Sequence, residues 1–214
     1  EQKVSTKDEQ LLTQTAKLLQ YPPQIWMFSP DNKLMPVPSA HSQYRKARKL
    51  IIKFNQELSN GNSVLYLAPQ DLTHFLTNIS NTLQNQATKI EAHIRENSSA
   101  YVDTQADNLF YYSQGLAYAD YLLLKALAVD YKDILIKTDI YLEWTHMLKA
   151  LENATQIKPL IVRNGKISSF VAPNHLSSEG FYILKACGIM QHITNKLEKF
   201  INTNNAITHI TSLI

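Results

Sequence analysis

The chain predicts an all-α fold, an irregular multi-helix bundle around a central apolar helix at about 107–130, with one small β-hairpin near 160–170. Three observations carry that prediction. Glycine is scarce, five in 214 residues, while Leu, Ala, Lys, Gln and Ile abound, so the chain lacks the frequent turns that a sandwich or barrel of short strands requires. Apolar residues recur at spacings of three and four along most of the chain. Hydrophobic residues make up 44% and charged residues 18%, which supplies a core and places the chain among globular proteins, here as one domain over 1–214.

The first helix spans about 5–20, with Leu11, Leu12, Ala16, Leu18 and Leu19 as its apolar residues and Asp8 and Glu9 early, where the helix dipole favours acidic side chains. Tyr21-Pro22-Pro23 ends it. Residues 21–40 hold five of the eight prolines together with Trp26, Met27 and Phe28, so this stretch is extended and lies against a helical body. A second helix, 42–60, carries Tyr44, Ala47, Leu50, Ile51, Phe54 and Leu58 and stops at Gly61.

Pro69 suits the first turn of a third helix, because its missing N–H would have had no partner there. That helix runs to about 97 on a narrow stripe of Leu72, Leu76, Ile79, Leu83, Ile90 and Ile94, close to coiled-coil type, with Gln86 in the heptad gap and Phe75 beside it. After a polar stretch, Asp103 or Asp107 caps the next helix, whose FYYSQGLAYADYLLLKALAVDY segment, 110–131, is apolar nearly all round. Asp107, Asp120, Lys125 and Asp130 interrupt it too often for a membrane span, so it reads as the buried axle of the bundle, with Gly115 and several alanines letting neighbours approach.

Beyond a break near 137–139, a helix to about 153 turns Ile140, Trp144, Met147, Leu148 and Leu151 inward. Asn164-Gly165 in PLIVRNGKISSF is a type I′ turn signal and defines the hairpin. The last helix spans about 175–201, with Ile183, Leu184, Cys187, Met190 and Leu197 inward, while 203–214 carries no assignable pattern.

Chemistry is thinly represented. The pairs Glu143/His146 and Asp71/His74 have carboxylate-histidine metal spacing, but both lie off the apolar seams where bundle ligands must point, so no metal or other cofactor is expected. His175 and Glu179 read as polar groups of a first turn. The one cysteine, Cys187, excludes an internal disulfide and sits inward, where thiolate formation is disfavoured. No nucleophile elbow and no glycine-rich phosphate loop is present.

A net charge of +3 falls short of the basic balance of a nucleic-acid binder. Arg45, Lys46, Arg48, Lys49 and Lys53 on the second helix form the one charge cluster able to attract anionic groups, against the simpler reading of a solvated face. Trp26, Tyr111, Tyr118 and Tyr121 are the candidate aromatics, either of the core or of a cavity.

SQYRKA at 42–47, the 110–131 segment, the Asn164-Gly165 turn and FVAPNHLS with Asn174 and His175 together resemble the bacterial domain-of-unknown-function family DUF2333, over roughly 21–200. The resemblance implies a Gram-negative protein anchored in the inner membrane by an upstream helix, with a mostly helical domain in the periplasm. On that footing the start at Glu1, without an initiator Met, reflects a removed or preceding segment, and helix 5–20 is juxtamembrane. The resulting expectation is a non-enzymatic interaction or scaffold domain with a protein partner in the envelope. The alternative is a small-molecule or lipid-binding domain with an aromatic-lined cavity.

Overall fold

The computed structural model describes residues 6–22, 25, 28–29, 32–63, 68–97, 104–159 and 174–211. They form α1 (Thr6–Leu19), β1 (Phe28–Ser29), β2 (Asn32–Pro36), α2 (Ala40–Ser59), α3 (Pro69–Asn97), α4 (Thr104–Asp130), α5 (Lys132–Lys137), α6 (Tyr141–Gln156) and α7 (His175–Thr211). The chain groups into two compact units, 1–66 and 67–214.

In the first unit α1 packs on α2, burying Leu11, Ala47 and Phe54. Leu12 and Leu19 are exposed, because the inner stripe of α1 runs through Asp8, Leu11 and Thr15. The Ser63 hydroxyl donates to the buried Asp8 carboxylate at 2.8 Å, which ties the end of the unit to its start. The proline-rich stretch folds back on itself: Tyr21 donates to the Pro38 carbonyl at 2.7 Å and Tyr44 to the Tyr21 carbonyl at 2.6 Å. Within it β1 and β2 pair antiparallel, Phe28 opposite Pro36, so part of the expected extended segment is a short ladder. The Ser39 hydroxyl accepts from the Ser42 N–H and caps α2, while Gly61, at φ +73°, supplies the left-handed residue after it.

The second unit is a four-helix bundle of α3, α4, α6 and α7 that alternate in direction. Antiparallel packing is fixed for α3 and α7 by Cys187 Sγ against the Ser80 carbonyl at 3.7 Å and Gly180 against Ile90. For α4 and α6, Trp144 Nε1 donates to the Leu124 carbonyl at 3.3 Å and Gln114 Nε2 to the Ile157 carbonyl at 2.7 Å. The α3 seam lies as its spacing predicts, with Leu72, Leu76, Ile79, Leu83 and Ile90 buried. Gln86 is buried in the heptad gap because its Nε2 donates to Ser113 Oγ of α4 at 2.7 Å, which replaces the water it loses.

The expected break after α4 is present. Asp139 takes φ +50°, α5 stops at Lys137, and α6 restarts with Ile140, Trp144, Met147 and Leu151 buried and Leu148 half-buried. Helix α7 reaches Thr211, ten residues past the sequence expectation, and its Leu184 is exposed where an inward position was expected. The hairpin predicted near 160–170 lies outside the described residues.

The central helix is a correction. The most extensive packing is of α7 on α3 and then of α7 on α6, whereas α4 packs chiefly on α6. Its inner face, Ala106, Phe110, Ser113, Ala117, Asp120 and Leu124, is buried, but its outer face is open to solvent. The axle is therefore α7. An apolar helix need not be central, because burial of one face satisfies the bundle whatever the other face carries.

Replacing fully buried Leu83 by Ala is expected to lower the stability of this unit by about 3 kcal/mol, against less than about 0.5 kcal/mol for exposed Leu142→Ala. Urea unfolding followed by circular dichroism checks both.

Candidate functional site

The outer face of α4 is the largest run of exposed apolar side chains on any one helix of the second unit. Tyr111 is 54% exposed, Tyr112 64%, Tyr118 52%, Leu122 47%, Leu123 46% and Val129 74%. Between Asn108 and Val129 the only charge on this exposed face is Lys125. Its amine stands 3.3 Å from the Tyr121 hydroxyl and 5.4 Å from the centre of that ring, so half-buried Tyr121 closes one edge of the face. Single exposed apolar residues are ordinary on soluble proteins, whereas these side chains form one stripe along five turns of a single helix.

The stripe has a period. Tyr112, Gly115, Ala119, Leu122, Ala126 and Val129 follow one another at three, four, three, four and three residues, the spacing of a heptad seam. The buried face repeats at the same spacing in Ala106, Phe110, Ser113, Ala117, Asp120 and Leu124. Helix α4 thus carries two seams on opposite sides, one filled by the bundle. This is why the segment reads as apolar all round.

A cleft of about 680 Å³ opens between α3 and α4, lined by Gln86, Lys89, His93 and Glu96 from α3 and Asn108 and Tyr112 from α4. Most of its lining residues are polar by type, with Ala92, Leu109 and the Tyr112 ring adding apolar surface. Of the candidate aromatics, Tyr111 and Tyr118 stand on the open face of α4 and Tyr121 at its edge, none of them in this cleft, and Trp26 lies outside the described residues. The basic cluster Arg45, Lys46, Arg48, Lys49 and Lys53 is exposed on α2, away from its buried residues Ala40, Gln43, Ala47 and Phe54.

The carboxylate-histidine pairs are on the surface. Asp71 and His74 are exposed, with Asp71 Oδ2 accepting from the Ala68 N–H at 3.3 Å, and Glu143 accepts from Lys196 at 2.6 Å. That hydrogen bond from Lys196 holds the Glu143 carboxyl below the usual range and fastens the start of α6 to α7. Among the described residues no group of three or more potential ligands is placed to hold a metal ion. Nor, among them, is any helix long and apolar enough to cross a membrane.

Two buried carboxyls were not legible as such. Glu179, expected as a first-turn polar group, is fully buried on the inner face of α7 between Leu176 and Ile183, and among the described residues neither of its oxygens has a hydrogen-bond partner. Burial pushes its pKa up to about 9, and pushes Asp120 of α4, whose Oδ2 is also unpartnered, up to about 6. The Cys187 thiol is raised to about 11, first by burial, so it is no nucleophile at neutral pH. The one sequence signal for Glu179 was its place three after Leu176 and four before Ile183.

The second unit is thus a helical bundle in which α4 carries an exposed second seam. The chain belongs to the family described as "Uncharacterized protein conserved in bacteria (DUF2333)", whose model matches residues 84–199, more than half of the chain. The match covers most of the bundle, from within α3 to within α7. No curated protein and no solved structure matches the chain.

Folded Glu179 keeps its proton up to about pH 9, whereas an unfolded glutamate releases it near 4.5, so the folded state binds the extra proton between those values. Stability therefore falls as pH rises through that window, by up to about 1.4 kcal/mol per pH unit. Asp120 adds the same sign up to about 6 and Cys187 adds it as pH approaches the ordinary thiol value of 9.0, so the interval between them reports mainly Glu179. Glu179→Gln is expected to flatten the slope, and urea midpoints of the two proteins between about pH 7 and pH 8 check it.

Proposed function

We propose that the chain is a non-enzymatic interaction domain of a bacterial cell-envelope protein and that it docks its partner through the outer face of α4. The observation that carries the reading is the heptad seam from Tyr112 to Val129, whose large side chains stand about half exposed or more among the described residues. The groups that could have served chemistry point elsewhere: Cys187 and Glu179 are shut in the bundle, and Glu143 is occupied by Lys196. The envelope location rests on the family resemblance, with the anchor supplied by a segment upstream of Glu1.

A photo-reactive amino acid placed at Tyr118 of the full-length protein in living bacteria tests the docking reading. The expected outcome is a discrete cross-linked species that Leu122→Lys abolishes, while the same probe at exposed Thr145 of α6 gives none. Absence of any adduct at Tyr118 would sink the reading, and recovery of the protein in the soluble cytosolic fraction would remove the envelope assignment.

A further inference from the structure

If a second α4 is laid antiparallel across the outer seam about a two-fold axis between Ala119 and Leu122, the two central layers each join a small residue to a large one, and the smallest residues meet beside them. Tyr112 meets Val129 of the partner copy, Gly115 meets Ala126, and Ala119 meets Leu122. Antiparallel heptad seams pair their two kinds of core position in this manner, and a two-fold contact requires that every such pairing occur twice. A parallel pairing would instead set Leu122 on Leu122 and Ala119 on Ala119, a bulge beside a void at the centre of the seam, which packs poorly.

Gly115 supplies a second, independent observation. A glycine in the interior of a helix costs about 1 kcal/mol relative to alanine. Nothing among the described residues explains that cost: Gly115 is exposed, its φ is not left-handed, and a Cβ built there would meet no atom within 4 Å. A facing helix that comes close at this layer explains it. Gly188 on α7 is equally open, but its flanking stripe of Phe181 and Leu184 runs into exposed Gln191 and Asn195 within two turns, and it offers no comparable seam.

Size and charge agree. Six large side chains, each about half exposed or more, present on the order of 700 Å² per copy, close to the roughly 800 Å² that each side of a stable protein interface contributes. The single charge, Lys125, would face Tyr118 of the partner copy rather than its own counterpart, so no like charges meet across the axis.

We infer that the partner docked on α4 is a second copy of this chain, joined as an antiparallel α4–α4 pair with its two-fold axis between Ala119 and Leu122. The inference rests on the docking reading above. It also means that two bundles present their α3–α4 clefts on either side of one shared helix pair, since Tyr112 belongs both to the seam and to the cleft.

Sedimentation of the purified full chain over about 1–100 µM, with engineered cysteines as a geometric readout, tests it. The expected result is a dimer that Leu122→Lys weakens by about 100-fold or more while Thr145→Lys leaves it intact. Unchanged thermal unfolding of both variants at the lowest concentration shows that they fold. In the Gly115→Cys/Ala126→Cys protein a short bis-maleimide should link the copies in high yield. Gly115→Cys alone should not be linked, because its two copies stand about 16 Å apart along the axis. A monomer at every concentration, a dimer indifferent to Leu122→Lys, or efficient linking through Gly115→Cys alone each overturns the proposal. If the purified chain is monomeric and the in-cell adduct at Tyr118 contains a different protein, self-association falls and docking through α4 stands. If there is no adduct either, both fall.

Discussion

The bundle depends on one long apolar line, the inner face of α7, running from Leu176 through Ile183, Cys187, Met190 and Ile193 to Leu197. Both α3 and α6 lay their own seams along it, and each is antiparallel to it. Cys187 sits where α3 comes close, a small side chain against the Ser80 carbonyl, and Gly180 lets Ile90 approach one end. At the other end Lys196 fastens α6 by donating both to Glu143 and to the Asp139 carbonyl at 2.9 Å. With α7 in place, α3 and α6 have fixed positions, and α4 fills the space beside α6 where it also reaches α3 through Ser113 and Gln86.

That position accounts for the character of α4. A helix at the side of a bundle buries one face, and the sequence of α4 supplies two. The inner seam is built of small residues around Phe110 and Leu124, with Ser113 satisfied by Gln86 and by the Leu109 carbonyl. The outer seam has the same period and a similar share of small residues, yet stands exposed among the described residues. Two seams half a turn apart are what a helix needs when it stands between two helical layers. One layer is the bundle itself.

Most of the architecture could be read from residue spacing because most helices here are simply amphipathic. The α3 stripe, including the anomaly of Gln86, and the helix restart after Asp139 followed from period and from polar interruptions. The reading of α4 as the axle failed for a definite reason: an all-round apolar helix has no directional signal, so sequence cannot say which neighbour fills which side. Glu179 was misplaced because its nearness to the start of α7 suggested solvent, although its spacing from Leu176 and Ile183 put it on the inner face. Leu184 erred in the opposite sense, an apolar residue on the outer face of α7. Distances along the chain say nothing of such cross-chain facts as the donation from Gln114 to the Ile157 carbonyl, which sets the height of α6 against α4.

Glu179 has one more consequence, for the charge that the molecule carries. The formal net charge of +3 counts every glutamate as ionised, but the buried carboxyl is neutral at pH 7, so the folded chain is one charge more positive than its composition implies. Unfolding releases that proton to the buffer. The heat of unfolding measured near neutral pH therefore contains the protonation enthalpy of whatever buffer is present, and a calorimeter run in two buffers of different ionisation heat would count the proton directly.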